Sequence, residues 1–348
     1  MFFVRPIARD DLPAVFALTE RTGAGLTSLP ANRERLAERI DRSLASFAGQ
    51  SARADECYVF VLVDSTDDRV VGICAIEAAV GLAEPWYNYH VGTLVHASRA
   101  LDVYTVAPTL FLANDHTGSS ELCSLFLDQA FRRGHNGPLL AKSRFLFVAE
   151  FPERFAPKLI AEMRGRLDAQ GRSPFWEGLG RHFFSMEYST ADYLTGIGQK
   201  SFIAELMPRH PVYVNLLPEA ARAAIGEVHR DTEAARKLLE QEGFRYEGYV
   251  DIFDAGPTLE CFRDDINAVR QSDVFPVALG EADPVPDDRV ESVPWLVSNR
   301  KFADFRALAV NAPPRVADRF PLLPYAAAAL GVVEGDIVRA VPLKPRDR

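Results

Sequence analysis

A strand, a loop and a helix follow one another in the middle of this sequence and set the strongest constraint on its fold. The residues from Leu122 to Leu127 form an almost unbroken apolar run. Such a run is typical of a strand that is buried on both faces of a sheet. A polar loop with two arginines and two glycines comes next, and a helical pattern continues from Leu139 to Phe151. The order predicts an α/β unit whose central strand feeds directly into a long helix.

The start of that helix is a candidate anion site. The free N–H groups at a helix N-terminus bind phosphate well, and glycine lets the backbone approach it closely. We therefore place a candidate phosphate cradle at Arg132, Asn136 and Gly137. Taken alone, however, the pattern of the loop is weak, and a polar surface turn is the more common outcome of such a stretch.

The remaining pattern indicates a mixed α/β protein. Strands are predicted over 2–7, 58–63, 70–76, 93–96, 104–106, 109–112, 159–163, 201–207, 213–216, 225–228 and 244–253. Helices are predicted over 12–18, 32–47, 174–184 and 232–241. The fold class that follows is α/β or α+β, with a mixed sheet and flanking helices.

The length of 348 residues predicts more than one lobe. We divide the chain into a first α/β half at 1–190, a second at 191–272, and a small β-rich C-terminal lobe at 273–348. A polar stretch with two prolines at 283–288 is the predicted linker near the start of that lobe.

Composition excludes several classes of protein. The net charge of −9 argues against sequence-independent nucleic-acid binding, which needs clustered positive charge. The four cysteines show no C-x-x-C spacing, and no H-E-x-x-H array is present, so no metal site is predicted. Neither a signal peptide nor an apolar run of about 18 residues is found, and we expect a cytoplasmic protein without a membrane partner.

Two of the seven histidines are candidates for chemistry. His229 is predicted to end a strand and precede a helix, a position where side chains face a cleft in α/β folds. Histidine gives and takes protons near neutral pH, so it suits acid–base catalysis. His116 lies in a polar, turn-rich stretch that is equally well explained as a solvated loop.

Several longer stretches carry a resemblance to a known family. The strand–loop–helix unit and the segment 235–244 resemble the acyl-CoA motifs of GNAT-type N-acyltransferases. The chain is more specifically similar to the arginine N-succinyltransferase family, and the matching stretches are Gly25–Asn32, Glu84–Tyr89, Asn114–Cys123, Ser173–Trp176, Ala204–Pro208 and Tyr249–Pro257. They cover most of the chain up to about residue 270, and the last lobe matches less clearly.

The resemblance implies transfer of succinyl from the co-substrate succinyl-CoA to the α-amino group of L-arginine, with no permanently bound cofactor. It implies that Leu125 contacts succinyl-CoA and that His229 is the proton donor. The segments 160–163 and 225–228 are alike, which is compatible with two GNAT-like halves, although two ordinary αβ units explain the likeness slightly better. We also expect a homo-oligomer such as a dimer. The sequence departs from the usual cradle, because His135 stands where a glycine is expected and Gly134 comes one place early.

Two alternatives remain open. The same scaffold is compatible with a preference for ornithine, and Glu177, Asp251 and Asp254 are the candidate partners of a basic side chain. The chain is also compatible with a non-catalytic subunit that binds acyl-CoA within a hetero-oligomer, and His135 in the cradle is the best support for that hypothesis.

Overall fold

The computed structural model describes residues 1–21, 28–199, 201–280 and 292–344. The predicted linker at 283–288 and the first part of the Gly25–Asn32 stretch lie outside these residues. No helix in the described ranges is long and apolar enough to cross a membrane.

The described residues form fifteen strands and ten α-helices. The strands are β1 (Phe2–Pro6), β2 (Cys57–Asp64), β3 (Arg69–Glu77), β4 (Asn88–Ser98), β5 (Val103–Ala113), β6 (Ser120–Leu127), β7 (Lys158–Glu162), β8 (Val212–Tyr213), β9 (Arg245–Asp251), β10 (Pro257–Phe262), β11 (Asp273–Leu279), β12 (Val293–Ser298), β13 (Ala307–Ala312), β14 (Phe320–Leu322) and β15 (Ile337–Pro342). The α-helices are α1 (Leu12–Thr19), α2 (Arg33–Phe47), α3 (Asn136–Glu150), α4 (Arg181–Phe184), α5 (Tyr188–Gly196), α6 (Ser201–Leu206), α7 (Glu219–Arg222), α8 (Glu233–Gln241), α9 (Asn267–Gln271) and α10 (Pro324–Leu330).

The strands join into one mixed sheet, which confirms the predicted fold class. Their order is β14-β11-β15-β12-β13-β1-β2-β3-β6-β7-β10-β9-β4-β5-β8. Most neighbours are antiparallel, while β6 and β7 are parallel. The β1 strand lies between β2 and β13, and therefore joins the beginning of the chain to its C-terminal segment.

Helices cover both faces of the central strands. One face of β2 and β3 packs on α1 and α2 through side chains such as Val15 and Ile40. The other face packs on α3 and α8 through side chains such as Phe147 and Leu239. Trp176, in the segment between β7 and β9, belongs to a separate cluster that packs on β4, β5 and β9. The C-terminal strands have a further cluster of their own around Trp295.

Several predicted elements are wrong. The stretch 201–207 is a helix over Ser201–Leu206, because Ile203 and Met207 are buried at a spacing of four residues, as one face of a helix requires. The stretch 213–216 is mostly a 3₁₀ turn. The three short strands predicted over 93–112 are the two eleven-residue strands β4 and β5, paired along their whole length.

The predicted strand at 225–228 is also wrong. It is a turn in which Gly226 takes a φ of +77°. Val228 then makes a single bridge to Gly165, just beyond the end of β7. His229 is therefore held beside the end of β7, although no strand of its own leads into it.

Candidate active site

The parallel strands β6 and β7 separate after a short paired segment. Their ladder consists of Ser120 with Leu159 and Glu121 with Ile160. From Leu122 onward β6 stays paired with β3 on its other side. A cavity of about 1250 Å³ opens at this separation, and Leu125 on β6 and Ala161 on β7 both line it. A strand edge without a ladder partner offers backbone N–H and C=O groups to whatever enters such a cavity.

A bulge in β6 lies at this point. The register with β3 shifts between the partners of Ile73 and Ala75, and Ser124 takes a φ of +53°. The Ser124 hydroxyl donates to the Ser28 carbonyl at 3.0 Å. From the α3 side, the Arg144 guanidinium donates to the carbonyls of Ala75 and Cys123 at 3.3 and 3.4 Å. These contacts, made from both faces of the sheet, fix the bulge next to Leu125.

The loop after β6 is built as a tight turn into α3. The Arg132 Nε donates to the Leu127 carbonyl at 3.0 Å, and the Asn136 side chain donates to the Phe131 carbonyl at 3.0 Å. Gly134 has a φ of +56°, so the displaced glycine supplies the left-handed conformation that His135 avoids. Arg132 lines the cavity, whereas Asn136 and Gly137 are not among the described residues that line it.

His229 is anchored to the end of β7. The backbone N–H of His229 donates a hydrogen bond to the backbone carbonyl of Arg164 at 2.8 Å. Its Nδ1 accepts from the Asp231 N–H at 3.2 Å, which places the proton of the neutral ring on Nε2. Burial, followed by the positive charge of Arg164, lowers the pKa of His229 below that of free histidine. Arg164 and Arg230 line the cavity, whereas His229 is not among the described residues that line it.

Carboxylates form part of the wall near the end of β7. Glu162, Asp251 and Asp254 all line the cavity. Both oxygens of Asp254 accept backbone N–H groups, from Gly256 and Gly165. Asp251 accepts two N–H groups at Oδ1, and Glu162 accepts the Asn88 amide at Oε1. The second oxygen of Glu162 makes no hydrogen bond within the described chain, whereas the Asp251 side chain is also hydrogen-bonded to that of Asp254.

Burial and mutual repulsion raise the pKa of these acids. Burial raises the pKa of Glu162 well above its usual range, and the charge of Asp251 raises it further. The pKa of Asp251 is raised well above its usual range by burial and by Asp254. A cation placed between Glu162 and Asp251 would relieve this repulsion. Glu177, the third predicted carboxylate, instead pairs with Arg181 on an exposed helix and does not line the cavity.

His116 is a buried structural residue, so the prediction of a solvated loop is wrong at this position. It is 1% exposed, and its two ring nitrogens lie 2.9 Å from Asn88 Oδ1 and from Glu260 Oε2. Because Asn88 also donates to Glu162, the histidine fixes the position of a cavity-lining acid from behind. No group of side chains suited to holding a metal ion occurs in the described ranges.

Glu162 and Arg164 were not singled out from the sequence. They occupy ordinary strand-end positions within Ala161-Glu162-Met163-Arg164, and no motif marks them. The alternation of a strand is the one available signal, because it directs residues 162 and 164 to the same side.

Nearly the whole chain matches proteins and family models that are named for arginine succinyltransferase. Residues 2–268 match the family model described as arginine N-succinyltransferase beta subunit, and residues 277–342 match the one for its C-terminal domain. The curated arginine N-succinyltransferase of Yersinia enterocolitica is 54% identical over 344 residues, which cover 99% of this chain and 98% of that protein. The protein of that name from an Enterobacter species is 53% identical over 351 residues, covering 100% and 99%. The solved structure of arginine/ornithine succinyltransferase subunit AI from Pseudomonas aeruginosa superposes with a TM-score of 0.90 at 39% identity, covering 99% of both chains.

Proposed function

This chain belongs to the arginine N-succinyltransferase family, and we propose that it transfers the succinyl group of succinyl-CoA to the α-amino group of L-arginine. The observation that carries the proposal is the separation of β6 from β7 at a clamped bulge, with a large cavity between them. The cavity wall includes Arg132 from the loop before α3 and the carboxylates Glu162 and Asp251 from the ends of β7 and β9. This arrangement suits an anionic, phosphorylated donor and a basic acceptor that meet between the strands.

The donor would lie along the open edge of β6. Amides of the CoA pantetheine arm would hydrogen-bond to the free backbone groups near Leu125. The CoA phosphates would then reach the loop and the first turn of α3, where Arg132 supplies charge and Gly137 a backbone N–H group. The backbone N–H of Asn136 already donates to the Arg133 carbonyl at 3.3 Å, so Asn136 would contribute through its position in this turn. Succinyl-CoA enters and leaves as a co-substrate, and the reaction requires no permanently bound cofactor.

The reaction needs no nucleophile from the protein. The neutral amine of arginine attacks the thioester carbonyl, a C–N bond forms, and the C–S bond breaks. The proton that the amine loses ends on the CoA thiol. We propose that His229 donates its Nε2 proton to the leaving thiolate and regains a proton from the substrate amine, so that the histidine ends the reaction as it began. It lies beside the end of β7, and its neutral-state proton is on Nε2.

The acceptor side chain would lie against the carboxylates. A guanidinium offers paired N–H donors, and the unoccupied oxygen of Glu162 beside the Asp251 carboxylate is a suitable acceptor for them. Binding of a cation also stabilises their charged forms. Asp254 has both oxygens occupied, so it positions Gly165 and is not expected to contact the substrate.

The test is release of free CoA thiol from succinyl-CoA in the presence of L-arginine. We expect turnover by the wild-type chain and a loss on the order of 10²-fold or more in kcat for His229→Ala, the usual cost of removing an acid–base group. A substitution at the exposed His182, which lies away from the cavity, is the matched control. Binding of succinyl-CoA without thiol release would instead support a non-catalytic subunit.

Ornithine is the second candidate acceptor. A solved relative bears the name arginine/ornithine succinyltransferase, and ornithine presents an ammonium in place of the guanidinium. The neighbouring carboxylates of Glu162 and Asp251 match the paired donors of a guanidinium better than a single ammonium. We therefore expect kcat/KM to be higher for arginine, and a higher value for ornithine would reverse the assignment.

We further propose that the protein is a homo-oligomer, with a dimer as the simplest form. The tip of the β4–β5 hairpin carries apolar side chains that are exposed in the single chain: Val95 and Val106 lie opposite each other in the hairpin, and Tyr104 is 71% exposed. A second copy would cover this face. Light scattering of Val106→Glu should report a smaller particle than the wild type, and an unchanged mass would exclude this contact.

We place the reaction in the cytoplasm, where its metabolite substrates occur. The four cysteines are all buried and free, as expected for a protein kept in a reducing compartment. We also propose that the chain divides after residues 190 and 272 into two α/β halves and a small C-terminal lobe.

A further inference from the structure

Among the residues that the structure describes, eight arginines line the cavity, and seven of them already have a polar partner. Those seven are Arg21 with Asp128, Arg35 with Glu38, Arg39 and Arg42 with Glu77, Arg132 with the Leu127 carbonyl, Arg144 with backbone carbonyls, and Arg230 with Asp231. The eighth, Arg164, differs from all of them. Within the described chain, its side chain makes neither a hydrogen bond nor an ion pair.

The position of Arg164 makes this lack of a partner costly. Its Nε is buried and has no acceptor in the described chain, although the side chain as a whole is only half-buried. A buried N–H without an acceptor destabilises a folded protein, so such groups are rare without a functional reason. Asp254, the acid that its charge influences, has both oxygens occupied by the N–H groups of Gly165 and Gly256.

Arg164 is also coupled to the catalytic residue that we propose. Its carbonyl accepts the His229 N–H at 2.8 Å, and its guanidinium influences the ring. Any anion that it binds in the cavity will therefore lie near the reacting atoms. A planar guanidinium binds a carboxylate through two parallel hydrogen bonds, which fixes both the position and the orientation of the ligand.

We infer that Arg164 is the carboxylate receptor of this site and that a substrate carboxylate fills its open hydrogen-bonding positions. The inference rests on the proposed function, because both substrates bring such a group. The succinyl chain ends in a carboxylate three carbons away from the thioester carbonyl. The amino acid carries its α-carboxylate on the same carbon as the attacking amine. Either one would align its owner for the transfer and select against analogues that lack the charge.

Four substrate pairs distinguish the two sources. Butyryl-CoA has the chain length of succinyl-CoA without the carboxylate, and L-argininamide keeps the amine and guanidinium of arginine with a neutral α-group. The kcat/KM for each donor–acceptor pair is measured for the wild type, Arg164→Gln and Arg164→Lys. Arg166→Gln is the matched control, because Arg166 is an exposed arginine two residues further on and does not line the cavity.

For Arg164→Gln, kcat/KM should fall about 10- to 100-fold with the substrate whose carboxylate Arg164 binds in the wild type. With the neutral analogue of that substrate, kcat/KM should change little. Selective loss with succinyl-CoA assigns the donor carboxylate, and selective loss with arginine assigns the α-carboxylate. Arg164→Lys, which keeps the charge without the fork, should fall between the wild type and the glutamine variant. An equal loss with all four pairs, or no loss, overturns the inference.

The affinities of the same variants for succinyl-CoA and butyryl-CoA, measured by calorimetry, test the role of Arg164 independently of whether the protein catalyses the proposed transfer. A wild-type chain that shows no turnover contradicts the proposed transfer. Arg164 is still tested in that case: it is supported if Arg164→Gln weakens binding of succinyl-CoA but not of butyryl-CoA, and overturned if it weakens both equally or neither.

Discussion

Replacement of Glu162 by glutamine isolates the role of one charge in the cavity wall. Glu162 ends β7, and its Oε1 accepts the Asn88 amide at 2.7 Å. Glutamine has the same size and keeps an oxygen for that bond. The substitution therefore removes the negative charge while leaving the packing and the Asn88 contact in place.

The expected effect on substrate selection follows from the loss of a charged hydrogen bond. A hydrogen bond to a charged group contributes about 1.5–3 kcal/mol, which corresponds to a factor of about 10 to 150 in kcat/KM for arginine. L-Citrulline has nearly the same shape as arginine but a neutral side chain, so its kcat/KM should change little. The arginine-to-citrulline ratio in a continuous thiol-release assay is therefore the quantity to measure.

The same substitution should make the protein more stable at neutral pH. Burial raises the pKa of Glu162 in the folded state, so its contribution to stability is fully present below the ordinary pKa of a free glutamate. That contribution is lost as the pH rises through the higher folded-state pKa. Glutamine cannot ionise, so the gain in Tm over the wild type should grow as the pH increases.

Glu260→Gln is the matched control, with the opposite expectation. Glu260 belongs to the same buried network but does not line the cavity, and its hydrogen bond to His116 and its pairing with Lys158 lower its pKa. Its replacement should destabilise the protein and leave the arginine-to-citrulline ratio unchanged. Our reasoning about Glu162 fails if its variant loses arginine and citrulline activity by the same factor, or if that variant is less stable than the wild type at pH 8.

Three further outcomes follow from the structure. Gly256→Ala should reduce activity and should lower the free energy of unfolding, measured in urea, by about 1–3 kcal/mol. The reason is that the added Cβ would lie 1.9 Å from the Met163 carbonyl oxygen. Wild-type activity in this variant would contradict the prediction. His116→Ala should lower the free energy of unfolding by about 2 to 6 kcal/mol in the same measurement, since Asn88 Oδ1 and Glu260 Oε2 each lose their histidine partner. A decrease below about 1 kcal/mol would refute the buried network. In an NMR titration His229 should have a pKa below that of free histidine, and Arg164→Gln should raise this pKa because a nearby cation is removed. An unchanged pKa in the variant would show that the two residues do not interact.

The strand–loop–helix unit could be predicted from the sequence because each part depends on local pattern. The apolar run became β6, and the helical pattern after it became α3. The strands predicted at 58–63 and 70–76 became the antiparallel pair β2 and β3 for the same reason. In these segments local propensity and tertiary packing favour the same structure.

The bulge and the wall of the cavity could not be predicted in this way. The positive φ of Ser124 depends on contacts with Ser28 and Arg144, which lie far away in the sequence. Glu162 and Arg164 face a cavity only because β6 leaves β7 at that point. The helix at Ser201–Leu206 was mistaken for a strand because a short apolar run shows too few periods to separate the two patterns.

The pairing of β1 has a consequence for how this chain is synthesised. Phe3 lies opposite both Val63 and Leu308, so β1 acquires its second neighbour only when the chain has grown by some 300 further residues. Until then one edge of β1 presents free N–H and C=O groups, the kind of edge that pairs with other chains. A nascent or prematurely terminated chain that ends before Ala307 therefore carries an open sheet edge, which makes it a substrate for chaperones and a seed for aggregation.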